Sequence, residues 1–396
     1  MSERVRVTVE ELRLKNFRAF DNARLRLSDL TFLVGRNGAG KSSLLDAISL
    51  MQEAVTDSLE NALDRRGGLS NVRRMAVAQN VQSGLGLALC MLVTLPGRAP
   101  VRVVYGFELV GHATEPFRVI ERLATTATPG GFERTGTYFD APGRKLDASP
   151  PEGNLVLPLI GRSDSLWQQI LDTVRGLRAY ALSPAHMAEA REIGDRTTLL
   201  LNGANAGDVL KALPEGEHFW LLERLALITE GLVWVEGDAV YGRRVLRFRQ
   251  QQGEAIRTLE ASNVSQGTLA GLGVLLALRQ QPTPSLVLID EIENSLHPSA
   301  LGILLDAALA SCGRMRVVLT THSPEVLSHP SVTGERVRVI EWREGTSQVF
   351  RLNEETQAAV NEIDTVGWML RSNALWTGPE PETCVDDLFA LDGAAA

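Results

Sequence analysis

A glycine-rich run between an apolar segment and a helical pattern constrains this chain more than any other feature. Residues 35–42 read GRNGAGKS, which fits a glycine, four further residues and Gly-Lys-Ser. Apolar residues 30–34 precede the run, and Leu44, Leu45 and Ile48 follow it at helical spacing. Glycines let the backbone turn tightly, so that successive N–H groups and the helix N-terminus surround phosphate oxygens. The order of strand, loop and helix therefore predicts a phosphate-binding loop in an α/β fold.

This loop supplies most of the nucleotide contacts that we predict. Lys41 is expected to reach the β- and γ-phosphates of ATP, and Ser42 to bind the Mg²⁺ ion. A glycine-rich turn that merely precedes a helix is the alternative, and the flanking patterns disfavour it. The predicted nucleotide-binding residues of this segment are Gly35, Asn37, Gly38, Ala39, Gly40, Lys41, Ser42 and Ser43.

A second apolar run, residues 286–289, ends in two carboxylates, Asp290 and Glu291. It reads as a buried parallel strand, which ends at the edge where ligands bind in α/β sheets. We expect Asp290 to hold Mg²⁺ together with Ser42 and water, and Glu291 to polarise the attacking water as a general base. Carboxylate pairs are also common at helix starts and in loops, so the prediction depends on the loop that carries Lys41.

Two more segments indicate which class of phosphate-loop protein this chain resembles. Residues 317–319 form an apolar strand that leads to His322, which is placed to hydrogen-bond the γ-phosphate; an ordinary polar cap is the alternative. Residues 265–267, Ser-Gln-Gly, precede the apolar helix 269–278, and such a turn is a second anion site. The predicted catalytic residues are Glu291, His322 and Lys41.

These segments resemble ABC-type ATPases, and within them the RecF, SMC and OLD-like group of predicted ATPases in the AAA family. They are similar to that group's opening strand and turn, its mid-chain pattern, its degenerate signature motif, and its Walker B segment with the dimer-facing D-loop. The segments that carry the resemblance are residues 12–20, 178–184, 201–206, 264–269 and 290–298. The resemblance covers about residues 10 to 350, nearly the whole chain.

The resemblance implies a dimer of identical subunits with two ATP molecules buried between them. Lys41 and Ser42 of one subunit would face Ser265 and Gly267 of the other, and Arg18 would join the nucleotide contacts. ATP would close this dimer and hydrolysis would open it, because the γ-phosphate binds the closed state preferentially.

Two features depart from the group's pattern. Gln266 stands where the signature usually has glycine, so a bulkier side chain lies at the expected phosphate contact. For the glutamine that the family places near the nucleotide, Gln79 and Gln82 are candidates by their distance from Lys41, and plain loop residues are the alternative.

Together with the pattern along the chain, the resemblance implies an α/β P-loop NTPase of ABC-ATPase type with an antiparallel β subdomain and an inserted helical lobe. We expect an ATPase lobe in two parts (1–64 and 232–352), the β subdomain (65–160), the helical insertion (161–231) and an acidic C-terminal segment (353–396). Within them we predict a helix over 43–63, strands over 84–95, 101–110 and 117–124, and a loop or hairpin over 129–153. The insertion is too short and too interrupted by Gly and Pro for a long coiled coil.

Composition favours a cytoplasmic protein. No apolar run approaches about 18 residues, and the N-terminus lacks the pattern of a signal peptide. Three widely spaced cysteines, Cys90, Cys312 and Cys384, indicate neither a disulfide framework nor a cysteine metal site.

The acidic excess behind the net charge of −8 lies in residues 353–396. This distribution argues against nonspecific nucleic-acid binding by the whole surface, although a local basic groove is compatible with it. The candidate clusters are Arg65, Arg66, Arg73 and Arg74, and Arg243, Arg244, Arg247 and Arg249, the latter with a solvated strand face as the alternative. The apolar residues of the C-terminal segment either dock a partner protein or pack back on the chain.

The sequence thus predicts an ATP-binding and ATP-hydrolysing switch. By family analogy it is the sensor or regulator ATPase of a bacterial defence or DNA-maintenance complex with a separate effector protein. The alternative is a RecF-like clamp that binds DNA with ATP in recombination repair, which salt-dependent, ATP-requiring DNA affinity would favour. A transporter subunit is disfavoured, because about 220 residues separate Lys41 from Ser265. We expect an ATP-dependent homodimer, an effector partner, DNA as a candidate partner and no membrane.

Overall fold

The computed structural model describes residues 5–74, 84–94, 97, 99–111, 117–126, 131–141, 153–362, 364–383 and 387–391. The strands are β1 Arg6–Phe17, β2 Phe20–Arg26, β3 Leu30–Gly35, β4 Leu85–Thr94, β5 Val101–Val110, β6 Arg118–Thr125, β7 Phe132–Thr135, β8 Tyr138–Asp140, β9 Leu177–Tyr180, β10 Arg191–Glu192, β11 Leu232–Val240, β12 Arg243–Gln252, β13 Ala255–Glu260, β14 Leu286–Ile289, β15 Arg316–Thr321, β16 Val337–Arg343 and β17 Thr346–Phe350. The helices are α1 Lys41–Thr56, α2 Leu59–Asp64, α3 Leu69–Val72, α4 Leu157–Ile160, α5 Ser165–Arg175, α6 Pro184–Ala188, α7 Ala206–Ala212, α8 Glu215–Ile228, α9 Gln266–Arg279, α10 Pro298–Ser311, α11 Pro324–Leu327, α12 Glu354–Glu362 and α13 Val366–Arg371.

Five parallel strands in the order β9, β14, β15, β3, β16 form the centre of the fold. All four residues of β14 are buried, as are five of the six in β3, which is the pattern of parallel strands covered by helices on both faces. The buried parallel strand predicted before Asp290 is therefore confirmed. Because parallel strands end at a common edge, the residues that follow β3, β9, β14 and β15 meet there.

Beyond β16 the sheet continues through β17, which pairs antiparallel with β16 and parallel with β2. It then runs as antiparallel strands through β2, β1, β4, β5, β6, β7 and β8. The three strands predicted between 84 and 124 are confirmed, since β4, β5 and β6 cover these segments within two residues. Of the predicted loop or hairpin over 129–153, the described part contains the short antiparallel pair β7 and β8. This region extends the central sheet of 13 strands rather than forming a separate layer.

The segment 161–231, predicted as a helical insertion, contains strands as well as helices. Helices α5, α6, α7 and α8 lie there, with strand β9 between α5 and α6 and strand β10 between α6 and α7. Strand β9 pairs in parallel with β14. Leu177, Ala179 and Tyr180 are buried in the sheet. A four-residue strand is too short to break the apolar spacing of the flanking helices, so periodicity alone could not reveal it.

The single helix predicted over 43–63 is in fact two helices. Helix α1 ends at Thr56, and the Ser58 side chain accepts a hydrogen bond from Asn61 N to start α2. An N-cap serine satisfies an otherwise unpaired N–H group at the start of a helix, which explains the break.

A second, smaller sheet contains β10, β12 and β11 in this order, with β13 paired to β12. Helix α7 packs closely against it, since a Cβ on Gly237 of β11 would lie 1.9 Å from the Gly207 carbonyl oxygen. Strand β12 carries the second arginine cluster, as the sequence predicted for Arg243 to Arg249.

The C-terminal segment packs back on its own chain in its described part. Leu388 and Phe389 are buried against Ala88, Cys90 and Val104 on one face of the antiparallel strands. Packing on the chain was one of the two alternatives, and these contacts support it. Within the described residues, no helix is both long and apolar enough to span a bilayer.

Candidate nucleotide site

The glycine-rich loop connects β3 directly to α1. Gly38 and Gly40 have φ values of 79° and 113°, a backbone region that residues with a side chain rarely adopt. A Cβ on Gly40 would also lie 2.6 Å from Ser347 Oγ, so the loop needs glycine there for two reasons. Asn37 and Gly38 are exposed, whereas Ala39 is buried. The loop therefore presents its tip to solvent above the N-terminus of α1, a ready-made anion site.

Lys41, the first residue of α1, lies underneath the loop. Its side chain is 6% exposed, and Nζ donates hydrogen bonds to the carbonyls of Gly35 (2.7 Å) and Arg36 (3.2 Å). Burial lowers the pKa of Lys41, while the carboxylates of Asp290, Glu291 and Glu293 act in the opposite direction. The loop lysine and the carboxylates predicted as its partners thus share one electrostatic environment.

Asp290 is fixed by its neighbours on both sides. Its backbone N–H donates to the Tyr180 carbonyl on β9 (2.8 Å), and the Thr320 hydroxyl on β15 donates to Oδ1. Ser42, the second residue of α1, has an exposed hydroxyl-bearing side chain. Hydroxyl and carboxylate oxygens are the donors that Mg²⁺ prefers, so the chemistry of Ser42 and Asp290 fits that ion.

The Glu291 carboxylate, unlike that of Asp290, is not held by a hydrogen bond from another described residue. The backbone of Glu291 is left-handed, with φ of 47°, and its N–H donates to Thr320 Oγ1 (2.8 Å). Its side chain is exposed and makes no hydrogen bond to any other described residue. The same threonine therefore holds the carboxylate of Asp290 and the main chain of Glu291, and leaves the Glu291 carboxylate available for a reacting molecule.

His322 follows β15, as the sequence predicted, and its main chain is tied to a residue that the sequence did not identify. Its N–H donates to Glu293 Oε1 (2.6 Å), and its ring makes no hydrogen bond within the described chain. Glu293 Oε2 is buried and has no partner among the described residues. Glu293 lies two residues after Glu291, and this third carboxylate after the strand was the signal that could have revealed it.

Ser265 and Gly267 lie at the N-terminus of α9. The Ser265 hydroxyl accepts from Thr268 N (3.1 Å), and Ser265 and Gln266 are exposed. A Cβ on Gly267 would lie 3.1 Å from the Ser295 carbonyl oxygen. No hydrogen bond or ion pair of the described residues joins this turn to the loop at 35–43 of the same chain.

Arg18 lies beside the second turn of α1 and not at the loop itself. Its guanidinium donates to Asp46 Oδ2 (2.5 Å), an acid that Arg66 also binds. Its predicted nucleotide contact would have to compete with this ion pair. Gln79 and Gln82 lie outside the described residues.

Most of the two arginine clusters are neutralised within the chain. The ion pairs are Arg65 with Asp57, Arg66 with Asp46 and Glu53, Arg74 with Asp21, Arg244 with Asp208, Arg247 with Asp238, and Arg249 with Glu236. Arg73 is buried and donates to the carbonyls of Leu109 and Gly111. The arrangement favours the solvated-strand alternative for the second cluster and weakens both as nucleic-acid grooves.

Comparisons with known proteins find similar ATPase domains. A family model described as "AAA domain, putative AbiEii toxin, Type IV TA system" matches residues 176–328, and a model of the AAA ATPase domain matches residues 8–72. The DNA replication and repair protein RecF of Caulobacter vibrioides is 29% identical over 204 residues, which cover 50% of this chain and 45% of that protein. The match thus spans less than half the length of this relative.

A solved structure of an Smc head shares the fold. An Smc head bound to the C-winged helix domain of ScpA is 15% identical, with a TM-score of 0.50 over 88% of this chain and 98% of that one. An SMC head domain from Thermotoga maritima is 14% identical, with a TM-score of 0.44 over 87% and 99%. The chain is thus similar in parts of its sequence to AAA ATPase domains and to RecF, and in its fold to an Smc head, and these similarities support an ABC-type ATPase of the RecF/SMC group.

Proposed function

We propose that this protein is an ATP-hydrolysing switch in which two subunits close around two ATP molecules. The observation that carries the proposal is the common edge of β3, β14 and β15, where Lys41, the Asp290–Glu291 pair and His322 follow neighbouring strands. A phosphate cradle, a pinned carboxylate and a free carboxylate are the parts that phosphoryl transfer to water requires.

Each residue has a distinct role in this proposal. Lys41 leaves the loop carbonyls and binds the β- and γ-phosphates, and backbone N–H groups of the loop surround their oxygens. Ser42 and Asp290 would hold Mg²⁺, which neutralises phosphate charge when bound. Glu291 takes a proton from the water whose oxygen attacks the γ-phosphorus, and ADP leaves with the electron pair of the broken P–O bond. His322 donates a hydrogen bond to a γ-phosphate oxygen.

The proposal of a dimer is supported by the turn at Ser265 and Gly267. Ser265 and Gln266 are exposed, the turn begins a 14-residue helix, and no hydrogen bond among the described residues joins it to the loop of the same subunit. A turn of this kind binds anions through its N–H groups and the helix dipole. The γ-phosphate held by one subunit is then recognised by the other, so binding energy favours the closed dimer. The exposed Gln266 would lie at the edge of that contact.

The biological role in our proposal is that of a sensor or regulator ATPase with a separate effector protein, in bacterial defence or DNA maintenance. Support comes from the matched family description, which includes a toxin of a Type IV TA system, and from the DNA replication and repair protein RecF. By the same analogy we propose a cytoplasmic location. The ion-paired arginine clusters give the alternative of a DNA-binding clamp no particular support.

A phosphate-release assay tests the proposal with three forms of the protein. Wild type is expected to hydrolyse Mg-ATP, Lys41→Ala to lose nucleotide binding, and Glu291→Gln to bind labelled ATP while losing turnover. If wild type releases no phosphate at any protein concentration, the assignment as an ATPase is wrong. If Glu291→Gln turns over like wild type, Glu291 is not the base.

A further inference from the structure

A cavity of about 920 Å³ lies beside strand β9, away from the nucleotide loop. Its walls are the C-terminal half of α1, strand β9 and the segment 196–201. We call this cavity the edge groove. Nothing in the proposed ATPase chemistry uses it.

Three arginines in the wall of the edge groove lack an acidic partner. Arg175, Arg178 and Arg196 make no ion pair with a carboxylate in the described part of the chain. Arg178 is half-buried, and among the described residues its guanidinium donates only to the carbonyls of Arg175 (2.5 Å) and Leu177 (2.7 Å). Burial lowers the pKa of Arg178, and no carboxylate of the described chain counters this effect. A desolvated cation of this kind is stabilised by an anion that enters from outside.

The acidic residues of the groove do not supply that anion. Glu53 and Asp57 also line it, but both bind the guanidinium of Arg65, and Glu53 additionally binds Arg66. The remaining charge of the wall is therefore positive.

The groove is also lined by the last strand of the sheet. Among the described strands, β9 is the last of its sheet and pairs with β14 on one side only. The Tyr180 carbonyl accepts from Asp290 N, which directs the backbone of Arg178 and Tyr180 toward β14. Because successive residues of a strand point to opposite edges, the N–H and C=O groups of Ala179 face the groove. The edge is closed again beyond β9, where Ala181 N donates to the Leu201 carbonyl (2.9 Å).

We propose that the edge groove binds an extended, acidic segment of a partner protein. The segment adds a short strand to β9 through the Ala179 backbone and pairs its carboxylates with Arg175, Arg178 and Arg196. The combination of a strand edge with uncompensated arginines favours a peptide. A nucleic acid fits less well, because Glu53 and Asp57 would repel its phosphates and the aromatic ring of Tyr180 is buried, at 1% exposed, and cannot stack on a base.

This inference goes beyond the proposed ATPase function and does not depend on it. The groove is nevertheless linked to the site, since α1 runs from Lys41 to the groove wall and Asp290 N is bonded to β9. Binding is therefore best measured on the nucleotide-free full chain.

Fluorescence anisotropy with a labelled peptide of about eight residues, alternating glutamate and valine, tests the proposal. The comparison probes are the same peptide with lysine for glutamate and a labelled thymidine oligonucleotide. We expect the acidic peptide to bind in a salt-dependent manner and the lysine peptide not to bind. Arg196→Glu changes an exposed residue, so it should fold and weaken binding about tenfold or more.

Arg257→Glu is the matched control, because Arg257 is an exposed arginine without an ion pair among the described residues, on β13 of the smaller sheet. It should leave peptide affinity unchanged. Absence of binding by the acidic peptide at millimolar concentration overturns the proposal, as does equal weakening by both variants. If the protein binds the oligonucleotide more tightly than the acidic peptide, and Arg196→Glu abolishes that binding, the ligand of the groove is a nucleic acid and not a peptide.

Discussion

Replacing Thr320 by valine removes the hydroxyl that joins the Asp290 carboxylate to the Glu291 main chain while keeping the shape of the side chain. Thr320 is fully buried. Its Oγ1 donates to Asp290 Oδ1 and accepts from Glu291 N at 2.8 Å. The variant therefore frees the carboxylate that is proposed to hold Mg²⁺ and the backbone that gives Glu291 its left-handed conformation.

The size of the effect follows from these two bonds. A hydrogen bond to a charged group contributes about 1.5–3 kcal/mol, and a buried N–H without a partner costs about 1–3 kcal/mol. Part of this loss lowers the free energy of unfolding, and part reaches the transition state through misplacement of Asp290 and Glu291. If about 2 kcal/mol is lost in the transition state, kcat falls about thirtyfold.

Phosphate release at saturating Mg-ATP measures this effect, with thermal unfolding measured in parallel. Thr31→Val is the matched control, because Thr31 is also fully buried and its Oγ1 accepts from Ser28 N (3.0 Å) near the start of β3, at the opposite end from the loop. The control should lose about 1 kcal/mol of stability and keep its kcat. Unchanged turnover in Thr320→Val, or an equal loss in Thr31→Val, would refute the assigned role of Thr320.

Three further predictions concern residues around the site and in the sheet. Glu293→Ala should lower kcat about tenfold by releasing the main chain of His322. Glu293→Gln keeps an acceptor oxygen and should retain most of the wild-type rate in the same assay. Equal rates in the two variants would exclude this positioning role. Gly267→Ala places a Cβ 3.1 Å from the Ser295 carbonyl, so we expect normal ATP binding with impaired dimerisation by light scattering, and undiminished dimers would contradict it. Burial raises the pKa of Glu121, so the free energy of unfolding should fall as pH rises from about 4.3, the ordinary glutamate value, through the raised pKa. Urea titrations at several pH values should show this pH dependence in wild type and not in Glu121→Gln. The same pH dependence in both proteins would contradict the assignment.

The individual segments of the candidate site were predictable because the residue pattern of each lies within a short stretch of sequence. The glycines and Lys41 of the loop, the apolar run before Asp290 and the strand before His322 follow from spacing and residue type alone. Strands β4, β5 and β6 were predicted within two residues for the same reason, since their apolar runs are separated by clear turn signals.

The parts that depend on contacts between distant segments were not predictable. The bond between Glu293 and His322 joins residues 29 positions apart, and no single-sequence pattern encodes it. Strand β9 could not be predicted from the sequence, because it is short, lies between helices and is defined by its pairing with β14. The sequence suggested that the arginines of β12 could bind phosphates, because it did not show their ion pairs with acidic residues on β11 and α7.

The measurement that tests the central claim most directly is the mass in solution of the Glu291→Gln protein with and without Mg-ATP. Our account predicts a monomer without nucleotide and a dimer with Mg-ATP, because turnover is blocked and the closed state accumulates. Lys41→Ala should remain monomeric in both conditions. A mass that does not respond to Mg-ATP, although labelled ATP binds to the same protein, would contradict the switch.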